Sequence, residues 1–378
     1  MRHGVDARSL NLLVTVTFNA NQVRAHLLPL ISLDEVASIT LVADHAPPSL
    51  PKVHAVIPTE PALRLLGRAG AKLALCLRLA RERRFDWVIG FNFVPHGFNA
   101  QFVARRARTR SMYHMIGGER EWLGGGYSSD NKILGRLPRP VPHLERLMLG
   151  QMRHATLLAT MGPRMRDRML ELGFPSRQVV VVPPSTDVER FVPRPRAARS
   201  FDVVAVASLL ENKRLGDLID AVAMLRHRHP RLRVGIAGRG PFRAALEGRA
   251  HALGVERLVT FLGQIVDIED VYAGATAFVL CSRSEGLPVS MLDAMAAGVV
   301  PVVTDVGEIS TLVETGRNGL LYPTGDVAEL ARAIDLLLTD RELAGRLAAQ
   351  ARRDVVARHS VAAVAAVYRR LLCTTDEA

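Results

Sequence analysis

Only 3 cysteines occur in 378 residues, Cys76, Cys281 and Cys373. They lie too far apart for a metal-type pair, so reduced, partly buried thiols are expected. Aromatic residues make up 5% of the chain, and the basic clusters "RERR" and "RRARTR" have no stacking residues between them. That pattern argues against a nucleic-acid partner. No apolar run reaches about 18 residues without a charge, so no transmembrane helix is expected. The opening "MRHGVDARSLNLLVTVTF" holds an apolar stretch too short and alternating for a secretory signal, and reads as a first strand. A cytoplasmic protein is the expectation. Short-period repeats and low-complexity tracts are missing too.

What is present points to two domains. A chain of this length exceeds what one hydrophobic core usually organises. Its net charge of +12 is divided unevenly, because residues 1 to 185 hold 25 Lys or Arg against 13 Asp or Glu, whereas residues 186 to 378 hold 24 against 24. A basic half joined to a neutral half suggests an anionic partner for the first: a phosphorylated acceptor or an acidic membrane surface.

Short runs of Val, Ile and Leu alternate with helical patterns throughout. The first half offers "LLVTVTF", "SITLVA", "VHAVIP", "DWVIGF", "SMYHMI", "TLLAT" and "QVVVVP" as strands, the second "FDVVAVAS", "LRVGIAG", "LVTFLG", "TAFVLCS", "VVPVVT" and "GLLY". This is the rhythm of parallel sheets wrapped by helices. The Pro-rich stretch over residues 184 to 200 breaks it, so a first domain over 1 to 183, a linker, and a second domain over 201 to 378 are expected. Three helices close the chain, the last of them able to pack back on the first domain. Two doubly wound domains would bind ligands at the carboxyl ends of their strands.

The segment "CSRSEGLPVSMLDAMAAGVVPVVTD" places one carboxylate, Glu285, in a bend after a strand and a second, Asp293, inside the helix that follows. Pro288, with no N–H to leave unpaired, suits the first helical turn, and around it the unpaired N–H groups of Gly286, Leu287 and Val289 can receive an anion or sugar oxygens. Eight helical residues turn through about 800°, so the two acids can line one side of a site. Such a pair fits a ligand with hydroxyls at both ends, or is a surface acid and a helix acid with no shared role. Gly238 and Gly240 of "AGRGP" are candidate ligand-binding positions, although the stretch lacks the third glycine and the acid of a nicotinamide site.

The stretch from Ser282 onward resembles the Glu-x7-Glu motif of the family-four retaining glycosyltransferases of GT-B fold, in which two Rossmann-like domains face each other across a cleft. "ASLLENKRLGDLIDAV" resembles that family's Gly-Arg-x4-Lys-Gly block, and "GEISTLVETGRNGLLYPTGD" its following segment. The resemblance implies that Lys213 holds the donor diphosphate, that Glu285 contacts the transferred sugar, and that Asp293, one methylene shorter than the family glutamate, grips the ribose. Ser208 stands where the family has an arginine, with Arg214 and Arg283 as candidate replacements. The first loop reads "FNANQVRAH" where many relatives have two glycines. His114, ending "SMYHMI", is similar to the family histidine over the donor sugar, and His96 is the other candidate. The glycines of "IGGEREWLGGGY" suggest a mobile loop.

A helix from Pro61 carries Arg64, Arg68 and Lys72 spaced by four, hence on one face, as a candidate membrane-docking surface. The expectation is a hexosyltransferase-type enzyme (EC 2.4 class) moving a sugar from a UDP- or GDP-sugar to a hydroxyl acceptor, lipid-linked or polysaccharide. By resemblance the configuration is retained, no metal or cofactor is needed, and the nucleotide sugar is a substrate. It would work in the cytoplasm, with an anionic membrane surface as a further partner. The alternatives are a GT-B nucleotide-sugar epimerase and a non-catalytic GT-B binding subunit.

Overall fold

A computed structural model describes residues 9–121, 141–194, 200–265 and 267–373. The chain forms two compact units, Met1–Pro184 with Val364–Ala378, and Ser185–Ala363.

The first unit is built on strands β1 (Leu10–Thr15), β2 (Val36–Val42), β3 (Val53–Val56), β4 (Trp87–Phe91), β5 (Arg110–Met115), β6 (Leu157–Thr160) and β7 (Val179–Val181). All pair in parallel, in the order β3-β2-β1-β4-β5-β6-β7. The strands are near-continuous apolar runs because helices cover both faces. Alternation along β1 divides the core: Leu12 and Val14 pack with Leu27, Leu30 and Trp87, whereas Leu13 packs with Leu75, Leu79 and Val103. The C-terminal helix, Val361–Cys373, adds Val364, Tyr368 and Leu372 to the first layer, a spacing of four that presents one face.

The second unit holds β8 (Val203–Val206), β9 (Val234–Ala237), β10 (Val259–Gly263), β11 (Ala277–Leu280), β12 (Val300–Thr304) and β13 (Leu320–Tyr322), in the order β10-β9-β8-β11-β12-β13. Register runs Val203↔Val234 on one side of β8 and Ala277↔Val203 on the other. Val203, Ala205, Ile236 and Val279 pack beneath Leu218, Val222, Ile334 and Leu337. Residues 185 to 194, which the sequence suggests as linker, pack in this unit. Thr186 N donates to His359 O at 2.8 Å, and Arg352 Nη1 donates to Phe191 O at 2.8 Å.

Each sheet reverses its strand order once, at β1/β4 and at β8/β11. The loops leaving the carboxyl ends of those strands are where doubly wound sheets bind ligands. The loop after β5 lies outside the described residues from 122 to 140, and with it the second half of "IGGEREWLGGGY".

Candidate active site

At the second unit's reversal point, β8 runs into a short 3-10 turn, Glu211–Lys213, and then into the helix Leu215–Leu225. β11 runs into the bend holding Glu285. The structure joins the two: Lys213 Nζ donates to Glu285 Oε1 at 2.6 Å, and Arg283 N donates to Asn212 O at 2.8 Å. Both charged side chains keep an exposed edge, Lys213 at 18% and Glu285 at 11%. An ammonium and a carboxylate thus meet at a strand-end crossover with solvent access.

Glycine allows the neighbouring loops to close on this turn. Gly238 has φ +145°, and a Cβ there would sit 1.8 Å from Ala207 O; at Gly240 it would meet Leu209 O at 2.2 Å. No side chain fits those gaps without moving backbone. Leu209 N donates to Arg239 O and Phe242 N to Leu209 O, so the loops after β8 and β9 form one block. On the other side, Glu308 N donates to Gly286 O at 2.9 Å.

The helix Val289–Ala296 starts one residue later than the sequence suggests. Pro288 is its N-cap, with ψ 120°, because a proline fixes only φ and leaves this residue extended. Leu287 and Pro288 are buried and Gly286 is half-buried. Asp293 differs more from expectation. It is buried and accepts a hydrogen bond from Thr186 Oγ1 at 2.7 Å. Burial pushes its carboxyl up to about 7, with Thr186 and Arg190 opposing the rise.

Of the candidate replacements for the family arginine, Arg214 is engaged elsewhere. It takes a left-handed conformation with φ 47°, and its Nε and Nη2 reach the two Asp217 oxygens at 2.8 and 3.0 Å. Arg283 is exposed, and its side chain has no hydrogen-bond or ionic partner among the described residues. Ser208 is exposed beside the same loop.

The first unit corrects three expectations. His114 is completely buried within it, edge-on to Phe91 and His26, with Nε2 donating to Val182 O at 2.8 Å. Burial lowers its imidazole to about 4, so the ring is neutral and enclosed instead of lying over a ligand. His96 is equally enclosed. Thr17 donates to Asp44 Oδ2 at 2.7 Å, so its oxygen accepts from His96 Nε2 at 3.0 Å and from Lys72 Nζ at 2.9 Å. His96 Nδ1 therefore accepts from Thr15 Oγ1 at 2.9 Å. Burial, followed by the Lys72 charge, lowers His96 to about 3.

Lys72 itself is 1% exposed and cannot dock on a membrane. Its ammonium donates to Val16 O, Thr17 Oγ1 and Asp44 Oδ2, at 2.9, 2.9 and 2.8 Å. The physical reason is Gly67, whose φ of 65° breaks the helix Glu60–Glu82 between Arg64 and Arg68. The spacing of four spans a kink, so the one-face reading fails. Arg64 and Arg68 are exposed.

Sequence reasoning missed several polar partners. Thr17 and Asp44 link residues 27 apart, and Thr186 and Asp293 are separated by 107. Such pairings leave no local pattern. Glu121 lies within the singled-out glycine-rich segment, and its carboxylate accepts from Phe93 N, Ile116 N, Gly117 N and the Tyr113 hydroxyl. Its burial nevertheless pushes it up to about 7. An acid two residues beyond "GGE" was the only available signal. Among the described residues, no group of three or more His, Cys, Asp or Glu side chains is placed to hold a metal ion.

Comparison with known proteins bears on the family and the fold. Residues 34–185 match the glycosyl transferase 4-like domain, and residues 189–354 match glycosyl transferases group 1. The lipopolysaccharide core biosynthesis glycosyltransferase LpsE of Rhizobium meliloti is 29% identical over 60% of this chain and 66% of its own length. The GDP-mannose-dependent alpha-(1-6)-phosphatidylinositol monomannoside mannosyltransferase of Mycobacterium tuberculosis is 29% identical over 51% of this chain and 55% of its own. The chain thus matches less than two thirds of the length of either relative. Anabaena HepE, solved in complex with UDP and glucose, superposes with a TM-score of 0.76 at 19% identity, covering 97% of this chain and 100% of that one. With both units matched in sequence and the whole architecture matched in structure, the chain belongs to the family-four glycosyltransferases of GT-B fold.

Proposed function

We propose that the protein transfers a sugar from a nucleotide diphosphate sugar to a hydroxyl acceptor, with retention of configuration and without a metal. The observation that carries this reading is the Lys213–Glu285 pair at the β8/β11 crossover. Breaking the bond between the anomeric carbon and the diphosphate leaves negative charge on the departing nucleotide, and a fixed ammonium stabilises it without reorganising. The free N–H groups at the start of Val289–Ala296 add partial positive charge nearby in the chain. Glu285, next to Lys213, suits contact with the sugar. The acceptor oxygen forms the new bond to the anomeric carbon as the bond to the diphosphate breaks, and its proton passes to a phosphate oxygen of the departing nucleotide.

The donor is a UDP- or GDP-sugar; a HepE complex and the mannosyltransferase named above use one base each. A lipid-linked or polysaccharide acceptor fits the names of LpsE and the phosphatidylinositol monomannoside enzyme. Work at the cytoplasmic face of a membrane is part of this proposal. No helix among the described residues is long and apolar enough to cross a membrane.

A second reading, a binding subunit without turnover, is favoured by Ser208 at the arginine position and by Arg214 being held by Asp217. Incubation with UDP- and GDP-sugars, with and without lipid and glycan extracts, separates the readings. Sugar transfer supports the proposal. Acceptor-independent rearrangement indicates an epimerase, and nucleotide binding without turnover indicates the binding subunit.

A further inference from the structure

We infer that Thr186 is a positioning residue for Asp293, holding that acid so that its second carboxyl oxygen receives a ribose hydroxyl of the donor nucleotide. The inference rests on the nucleotide-sugar reading above and adds to it a residue outside every sequence motif.

Both side chains are buried, Thr186 at 2% exposed and Asp293 at 4%. Thr186 Oγ1 donates to Asp293 Oδ1 at 2.7 Å. Asp293 Oδ2 has no hydrogen-bond partner among the described residues, and unlike the orphaned His114 Nδ1 it is not sealed from solvent. A buried carboxyl with one oxygen fixed and the other open calls for a donor, because an unmade hydrogen bond at such a group is costly. Arg190, whose charge acts on Asp293, directs Nε and Nη2 to Glu269 Oε2 at 3.2 and 2.7 Å.

Both ends of the contact are anchored. Thr186 N donates to His359 O, and Thr186 pairs with Ser360 in an isolated parallel bridge. Asp293 sits within Val289–Ala296, its carbonyl accepting from Ala297 N at 2.9 Å. A β-branched side chain has few rotamers, so the threonine hydroxyl is a fixed point. That matters for an aspartate. Lacking one methylene of the glutamate in the motif it resembles, its carboxyl is drawn back toward the helix by about 1.5 Å, and the hydroxyl locks it in one orientation.

Charge and chemistry select the ribose. A carboxylate repels a diphosphate, whereas a ribose diol offers O–H donors to it. Glu285, paired with Lys213 in the bend before this helix, is the acid assigned to the transferred sugar, which leaves the ribose for Asp293.

Calorimetry on the full chain with UDP and GDP, each set against its 2′-deoxy form, tests this without turnover. The parent should bind the ribonucleotide about tenfold more tightly than the deoxynucleotide. Thr186→Val keeps the shape and removes the hydroxyl. It should weaken the ribonucleotide by about tenfold and leave the deoxynucleotide within about twofold, erasing the discrimination. Thr186→Ser, which keeps the donor, should restore it. Thr186→Val with Asp293→Asn removes the buried charge together with its donor, which protects the fold, and should discriminate no better than the single variant. The parental ratio in either valine variant overturns the inference, and so does an equal loss of affinity for both forms, the result of a purely structural role. A parent that binds both forms equally overturns it while the donor reading stands. Absence of UDP and GDP binding by the parent removes the donor reading, and this inference with it.

Discussion

At the second unit's crossover, the charged pair of the candidate site keeps one edge in water and spans 72 positions of sequence. At the first unit's crossover, around the ends of β1, β2 and β4, a comparable set of polar groups is sealed: Lys72, His96 and Thr15 are buried, and Asp44 shows only 10% of its side chain. Two sheets of the same winding thus use charge in opposite ways. An accessible ion pair can exchange partners with an anionic ligand. A closed one, with every ammonium proton already placed, holds loops together and contributes most when left intact.

The largest expected effect breaks the closed cluster. Lys72→Met removes the only cation beside Asp44 in this network and leaves a mostly buried carboxylate uncompensated, so stability should fall by about 3 to 5 kcal/mol. Adding Asp44→Asn should recover part of the loss, which chemical denaturation of the single and double variants can measure. A loss like that of a surface pair would mean the cluster is open to solvent. The matching change in the second unit should behave differently. Lys213→Ala should cost about 1.5 to 3 kcal/mol in transition-state stabilisation, a ten- to hundredfold fall in turnover, with little change in stability. Unchanged turnover with a UDP- or GDP-sugar would remove Lys213 from the mechanism.

These contrasts were unequally legible. All thirteen strands among the described residues were visible in the sequence, because strands covered on both faces become short apolar runs whatever the rest of the chain does. Lys213 and Glu285 stood out through the short motifs around them, whereas the close approach of two loops at Gly238 and Gly240 depends on backbone brought together by the fold. The environments of His114, His96 and Lys72 were not. Whether a histidine at a strand end faces solvent depends on what packs above it, here Phe91 and His26, and no spacing rule reports that. The misplacement of Lys72 has a sharper origin: an i, i+4 argument assumes unbroken helix, and the left-handed Gly67 breaks it.

A smaller effect, because opposing groups partly cancel, separates the units by pH. In the first, burial lowers His26, His96 and His114, whose contribution to stability is full above their unfolded value near 6.5 and is lost as pH falls through the folded values. Glu121, raised to about 7, works the other way: its contribution is full below its unfolded value and is lost as pH rises through about 7. Three histidines outweigh one carboxyl, so the first unit should weaken from pH 7 to pH 5. In the second, Asp293 is likewise raised to about 7, so that unit should hold or gain stability over the same interval. Hydrogen exchange in denaturant, resolved by peptide and corrected for intrinsic rates, should show the two trends diverging. Parallel trends would contradict the enclosed environments of these groups.

The smallest expected effect tests the accessible pair most directly. Glu285 Oε1 occupies the Lys213 ammonium at 2.6 Å, the group the proposed mechanism assigns to the diphosphate. Carboxylate and diphosphate then compete for one cation, and donor binding must displace the first. A partly exposed ion pair is worth under about 1 kcal/mol, so Glu285→Gln should leave UDP affinity unchanged or raise it by up to about fivefold. Turnover should fall all the same, because the carboxylate released from Lys213 is the group assigned to the sugar. Calorimetry with UDP and GDP, set beside turnover of the same variant, reads both halves. A fall in nucleotide affinity of about tenfold would reverse the assignment, since it would mean that Glu285 orients Lys213 for the diphosphate and does not compete with it.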